Sequence, residues 1–257
     1  MVNYKEISKN ARLKVIDMIY RAQVSHIASN FSVVDIATVL YENADLSKDR
    51  IIWSKGWAAA TAYYFLAEKG VIPKEDLDTF CHGDSKYIGL VEPTVKGIDF
   101  AGGSMGMGLP AGVGYALAKK LKKEDGTIFV IMSDGEMQIG TTWESALIAS
   151  HHKLDNLVVV IDYNKFQAMG KTNDILSIEP LKEKWQSFGW DVEIIDGHNF
   201  SGIEKAIKSQ KNNPTVIIAN TVKGKGVSFM ENNNIYHYKQ ISEKEFKEAL
   251  EEINRDI

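Results

Sequence analysis

The chain has 257 residues, 44% of them hydrophobic and 25% charged, and a net charge of −4. These proportions suit one large globular domain with a sizeable core and exclude a disordered chain. No Lys/Arg-rich run is present, so the clustered positive charge that nucleic-acid binding requires is missing. The single cysteine, Cys81, cannot form an internal disulfide, as expected of a reducing compartment. The first twenty residues are polar and charged, unlike a signal peptide. The longest apolar runs, such as Thr127–Met132, are too short to span a bilayer. A cytoplasmic protein without nucleic-acid or membrane partners is expected.

Apolar residues at helical spacing predict a helix over 5–24, and a second over Ser32–Glu42 with Ser32 as its N-cap and Asp35 in its first turn. A short strand, Arg50–Trp53, leads into a helix over Ala58–Glu68, and residues 82–103 read as irregular. A helix of small residues follows at Gly108–Lys122. Strand and helix then alternate: strands at Thr127–Met132, Leu157–Asp162, Val192–Ile195 and Thr215–Asn220, helices at 141–152, Leu181–Phe188 and Ser201–Ser209. A last helix is expected near 242–253. Continuous apolar strands alternating with helices predict a doubly wound α/β domain, with a mostly parallel sheet covered by helices on both faces. No linker divides the chain and no internal repeat is visible.

Ligands in such sheets bind beyond the carboxyl ends of the strands. That rule selects Ser133–Glu136, Asp162–Phe166 and Thr221–Gly226. Asp134 follows one buried strand, and Asn164, thirty residues on, follows the next. A carboxylate, an amide oxygen and a nearby main-chain carbonyl are hard donors suited to Mg²⁺ or Ca²⁺. Taken singly, Asp134-Gly135 reads as a turn and Asn164 as a cap; the intact strand–helix–strand spacing raises the metal reading above these. Gly102-Gly103-Ser104-Met105-Gly106-Met107-Gly108 stands before a helix with Pro110 in its first turn. Glycines let backbone approach a ligand closely, and a helix N-terminus offers free amides to an anion.

These segments resemble the thiamine-diphosphate (ThDP) binding part of transketolases. The Ser133-Asp134-Gly135-Glu136 turn is similar to the Gly-Asp-Gly that opens the family's signature, with Ser133 for the first glycine, and Asn164 closes it. Trp143-Glu144-Ser-Ala, His152-Lys-Leu-Asp-Asn-Leu, Ser54-Lys55-Gly56-Trp57 and Thr221-Val-Lys223-Gly-Lys-Gly extend the likeness from residue 10 to about 250. The resemblance implies Asp134, Asn164 and the Phe166 carbonyl as metal ligands. It implies Gly103, Ser104, Met105, Gly106, Gly135, Glu136, Asn164, Trp57 and Lys223 at the cofactor, His26 and His237 as catalytic histidines, and Glu144 at a subunit contact. The implied cofactors are ThDP and Mg²⁺ (or Ca²⁺).

The likeness breaks at four places. Trp57 and Leu90 stand where the family has histidines, Ile139 where it has a glutamate, and Met107 where Gln or His is common. All four changes remove hydrogen-bonding groups, so a donor less polar than ordinary ketose phosphates is expected, such as a 2-oxo acid. By the resemblance, the glutamate that activates the cofactor belongs to a pyrimidine-binding domain. With the sequence ending at Ile257, that domain is expected on a separate chain, in an α₂β₂ assembly. Three readings stay open: two-carbon transfer to an aldehyde acceptor, 2-oxo acid decarboxylation with acyl transfer, and a catalytically inactive partner subunit.

Overall fold

The computed structural model describes residues 2–209 and 212–255. Two long helices come first, α1 (Tyr4–Ala22) and α2 (Ile27–Asn43), then strand β1 (Arg50–Trp53) and α3 (Ala59–Glu68). An irregular stretch leads to α4 (Gly108–Lys122), β2 (Ile128–Ser133), α5 (Gly140–His151) and β3 (Leu157–Tyr163). A small hairpin follows, β4 (Phe166–Gln167) with β5 (Gly170–Lys171), then α6 (Thr172–Ile175) and α7 (Leu181–Ser187). The chain closes with β6 (Asp191–Asp196), α8 (Phe200–Lys208), β7 (Thr215–Asn220) and α9 (Glu243–Arg255).

The five long strands form one parallel sheet in the order β1-β2-β3-β7-β6. Side chains alternate across it, which splits the core into two layers. Phe129, Ile131, Val160, Ile217 and Ala219 pack with α1, α2, α3, α8 and α9. Val130, Met132, Val159, Ile161, Val216 and Ile218 pack under α4, α5 and α7. Helices on both faces of a parallel sheet are the doubly wound arrangement the sequence predicts.

The second helix departs from its expected start. It begins at Ile27, with His26 before it in a left-handed conformation (φ 73°). Ser32 therefore lies inside α2, where its buried hydroxyl donates to Asp162 at 2.6 Å rather than capping anything. Asp35 is likewise mid-helix and pairs with Arg12. Residues Ile27 to Tyr41 are all buried, so no polar face marks where the helix begins, and Ser32 supplies a false start signal. Among the described residues, no helix is long and apolar enough to cross a membrane.

Candidate active site

Register places the strand ends side by side. Ser133 pairs with Asp162, Asp162 with Ala219, and Tyr163 with Asn220. Trp53, at the end of β1, pairs with Ile131. The segments beyond β1, β2 and β3, starting at Ser54, Asp134 and Asn164, border a cleft of about 340 Å³, and Thr221 begins the segment beyond β7. His26, Trp57, Gly103, Met105 and His237 line it. So do Asp134, Gly135, Glu136, Asn164 and Phe166, which brings together residues that are far apart in sequence.

Asp134 is fully buried. One carboxylate oxygen accepts from the Gly135 amide at 2.8 Å and the other from the Thr172 hydroxyl at 3.1 Å. Burial, and then the neighbouring Asp162, push its pKa up to about 7. The buried Lys55 ammonium pairs with Asp162 rather than with Asp134. Burial opposes ionisation of Asp162, yet Lys55, Ser32 and Thr221 hold its pKa below the usual value. Lys55 Nζ also donates to the Ser29 carbonyl at 2.7 Å and the Ser32 hydroxyl at 3.0 Å. Asn164 accepts from the Phe166 amide at 3.0 Å through its side-chain oxygen.

Glu136 ties the turn after β2 to the glycine-rich segment. It accepts from the Ser133 amide at 2.8 Å, from the Gly106 amide at 3.1 Å, and from the Ser54 hydroxyl. Ser54 in turn accepts from the Gly108 amide at 3.2 Å. Gly56 and Gly102 meet backbone to backbone: a Cβ on Gly102 would lie 2.6 Å from the Gly56 Cα and 2.8 Å from the Trp53 carbonyl oxygen. A Cβ on Gly135 would lie 3.0 Å from Met105 Cε and 3.4 Å from Gln167 Cβ, so the bare backbone there keeps the cleft open.

The two histidines meet edge to face, with ring centroids 4.7 Å apart. The His26 amide donates to the His237 carbonyl at 3.0 Å, and Ser25 Oγ lies 2.7 Å from His26 Nδ1. Burial, then Lys223 and Lys55, lower the His26 pKa to about 4. Burial, Lys223, His26 and Lys55 lower that of His237 to about 3. Both rings are therefore neutral at pH 7. Lys223 is 1% exposed and donates to Asn234 Oδ1 at 2.7 Å and to His237 Nδ1 at 3.0 Å. Burial and Lys55 pull its pKa down to about 8, against the pull of Asp134 and Asp162.

Four expected site residues lie apart from the cleft wall, among them the buried Lys223, which stands behind His237. Ser104 is exposed, Gly106 is buried and engaged by Glu136, and Glu144 sits on the exposed side of α5. The sequence assigns no site role to Lys55, Asp162, Ser32 or Tyr238, although Asp162 opens one of the strand-end segments and Ser32 reads as a helix cap. Lys55, two residues beyond β1, lies at a strand end that the rule does not select.

Residues 3–255 match the family described as "Transketolase, thiamine diphosphate binding domain". The chain belongs to the transketolase family. It is 38% identical to an apulose-4-phosphate transketolase subunit of Actinobacillus succinogenes, covering 98% of this chain and 97% of that one. It is 35% identical to a 6-deoxy-6-sulfo-D-fructose transketolase subunit of Clostridium sp., covering 95% and 94%. Among solved structures, transketolase from Campylobacter jejuni superposes with a TM-score of 0.93 at 28% identity, over 99% of this chain and 43% of that chain. This transketolase-family chain thus spans less than half the length of such transketolases, and nearly all of the two relatives that are named as transketolase subunits.

Proposed function

We propose that this chain is the diphosphate-binding subunit of a ThDP- and Mg²⁺-dependent transketolase-like enzyme. It works with a separate pyrimidine-domain chain, in an α₂β₂ assembly, to move a two-carbon unit from a donor to an aldehyde acceptor. The observation that carries the proposal is Asp134 and Asn164 at adjacent strand ends, opening into one cleft with Phe166 and the two neutral histidines. The chain's end-to-end likeness to relatives that are themselves named as transketolase subunits supports the split arrangement.

The residues fit the cofactor. Asp134 is a buried carboxylate whose pKa is raised by burial and by Asp162, and a divalent cation bound there would favour its charged form. Among the described residues no cluster of three or more His, Cys, Asp or Glu side chains is suited to a metal. The donors would instead be the Asp134 carboxylate, the Asn164 amide oxygen and the Phe166 main-chain carbonyl, the hard oxygen set that suits Mg²⁺. Gly135 and Gly103 leave the backbone bare for close approach, Met105 offers an apolar wall, and Lys223 adds positive charge behind His237. When bound, the cofactor supplies the carbanion chemistry for breaking and remaking a bond next to a carbonyl. His237 accepts from Lys223 at Nδ1, which leaves its Nε2–H to donate to a substrate oxygen. His26, neutral and fixed by Ser25, offers a second hydrogen-bonding nitrogen.

The half-exposed indole of Trp57 and the exposed Met105 make this wall apolar, which favours a donor less polar than the ordinary pentose and hexose phosphates. The same lining suits decarboxylation of a 2-oxo acid with acyl transfer. Co-expression with a pyrimidine-domain chain, followed by parallel assay of hydroxyketose and 2-oxo acid donors, separates these. Preferred turnover of 2-oxo acids supports the less polar donor, fast turnover of xylulose 5-phosphate refutes it, and no turnover of either class by the assembled pair points to an inactive partner subunit.

A further inference from the structure

A buried polar cluster lies behind the cleft, on the far side of the 221–226 segment. Arg12 grips Asp35 with two nitrogens, each 2.9 Å from a carboxylate oxygen, and Ser8 bonds to both. His198 Nδ1 lies 2.7 Å from Asp35 Oδ2, and its Nε2 accepts from the Val222 amide at 2.9 Å. An accepting Nε2 fixes the tautomer: the proton sits on Nδ1 and is donated to Asp35. Arg12 Nε donates to the Lys225 carbonyl at 3.0 Å. Burial works against the charge on Asp35, but Arg12 and His198 hold its pKa well below the usual carboxylate range. None of these side chains lines the cleft.

The geometry is that of a bracket. Val222 hangs on Asp35 through His198, and Lys225 hangs on Asp35 through Arg12. Lys223 and Gly224 lie between the two attachment points. Gly224 (φ 80°) donates to the Ala28 carbonyl at 3.0 Å, and Gly226 (φ 94°) leaves room for Arg12, whose Nε would be 3.2 Å from a Cβ placed there. With the backbone held on both sides, the Lys223 side chain has one way to go, toward Asn234 and His237.

We propose that His198, with Arg12 and Asp35, positions Lys223 and thereby fixes which nitrogen of His237 carries its proton. His198 is a positioning residue: it touches neither the cleft nor His237. Two backbone attachments from one buried carboxylate are more than the fold needs at this point, because β7 has already ended at Asn220 and the Lys223 carbonyl is separately bonded by the Asn232 amide at 2.9 Å. The functional weight of this inference rests on the roles given above to Lys223 and His237. The positional relation itself does not.

The test is imidazole nitrogen NMR on the full chain, with amide exchange across 221–226. The wild type should show His198 as the Nδ1–H form and His237 as a single Nε2–H form. His198→Phe keeps the ring volume and removes both bonds. It should turn His237 into a mixture of tautomers and speed exchange of the Val222 amide by about tenfold, the effect of losing one hydrogen bond. His198→Gln, which returns an acceptor near Nε2, should restore both readings. His198→Asn, which reaches only toward Asp35, should not. A His198→Phe chain with wild-type His237 and Val222 overturns the proposal. Should that variant not fold, an Asn variant closer to wild type than the Gln variant overturns it equally. Lys223→Met separates the two levels: unchanged binding of ThDP with Mg²⁺ would remove Lys223 from the proposed function, while the NMR readings still decide the positioning.

Discussion

The indole of Trp57 lies flat against the imidazole of His26, with ring centroids 4.4 Å apart and planes 11° from parallel. One face of the indole is thereby covered while 46% of the residue stays open to solvent at the cleft. His26, held in a left-handed backbone conformation at the start of α2, is thus flanked by an apolar ring on one side and His237 on the other.

Replacing Trp57 with Ala should cost little stability, about 0.5–1.5 kcal/mol for the lost ring pair, read by denaturant unfolding. Trp57→His should instead move selectivity. In the assembled enzyme, the ratio of kcat/KM for hydroxyketose over 2-oxo acid donors should rise by about tenfold or more, because an imidazole at the cleft then answers the substrate hydroxyl. An unchanged ratio removes Trp57 from donor choice.

The two histidines give stability a defined pH dependence. Unfolded, each titrates near 6.5; folded, they titrate near 4 and 3. Between those values the unfolded chain binds more protons, so stability falls as pH drops from 6.5 toward 4 and is fully present above 6.5. Thermal unfolding of the ligand-free chain from pH 7 to 4 should show this fall. A His26→Gln/His237→Gln double variant should show a shallower one, and an equally steep fall would contradict the shifts.

The Lys55–Asp162 pair is buried on both sides. Lys55→Met strands the Asp162 carboxylate beside Asp134, so a loss of about 3–5 kcal/mol is expected in urea unfolding. Adding Asp162→Asn should recover part of that loss, because the stranded charge is gone. Additive losses would mean that the two residues act independently.

Gly102→Ala should destabilise the chain by about 1–3 kcal/mol, since the new methyl group meets the Gly56 backbone and the Trp53 carbonyl, which cannot give way, as well as the Val91 side chain. Gly114→Ala on α4, where nothing lies within 4 Å of the added carbon, is the control and should be neutral or better. Equal effects at the two positions would show that the Gly56–Gly102 contact is not close.

Much of this was legible in the sequence, for definite reasons. The strands are buried on both faces, so Ile128–Met132 and Leu157–Ile161 read as continuous apolar runs, and turn residues such as Ser133-Asp134-Gly135 mark their ends. Those ends gave Asp134 and Asn164 at once. The start of α2 was not legible, because a helix buried all round carries no amphipathic edge and Ser32 imitates a cap while serving Asp162. The β4–β5 hairpin and α6 are too short to leave a periodic signal. The Arg12–Asp35–His198 bracket joins α1, α2 and the turn after β6, so only the folded chain brings it together.

The most direct measurement is calorimetric titration of ThDP into the chain assembled with a pyrimidine-domain partner, with Mg²⁺ or with EDTA. Binding should need the cation and should weaken by about tenfold or more in Asp134→Ala and in Asn164→Ala, as loss of a metal ligand requires. Equal affinity in EDTA, or wild-type affinity in both variants, would mean that these two strand ends do not hold a cation on the diphosphate.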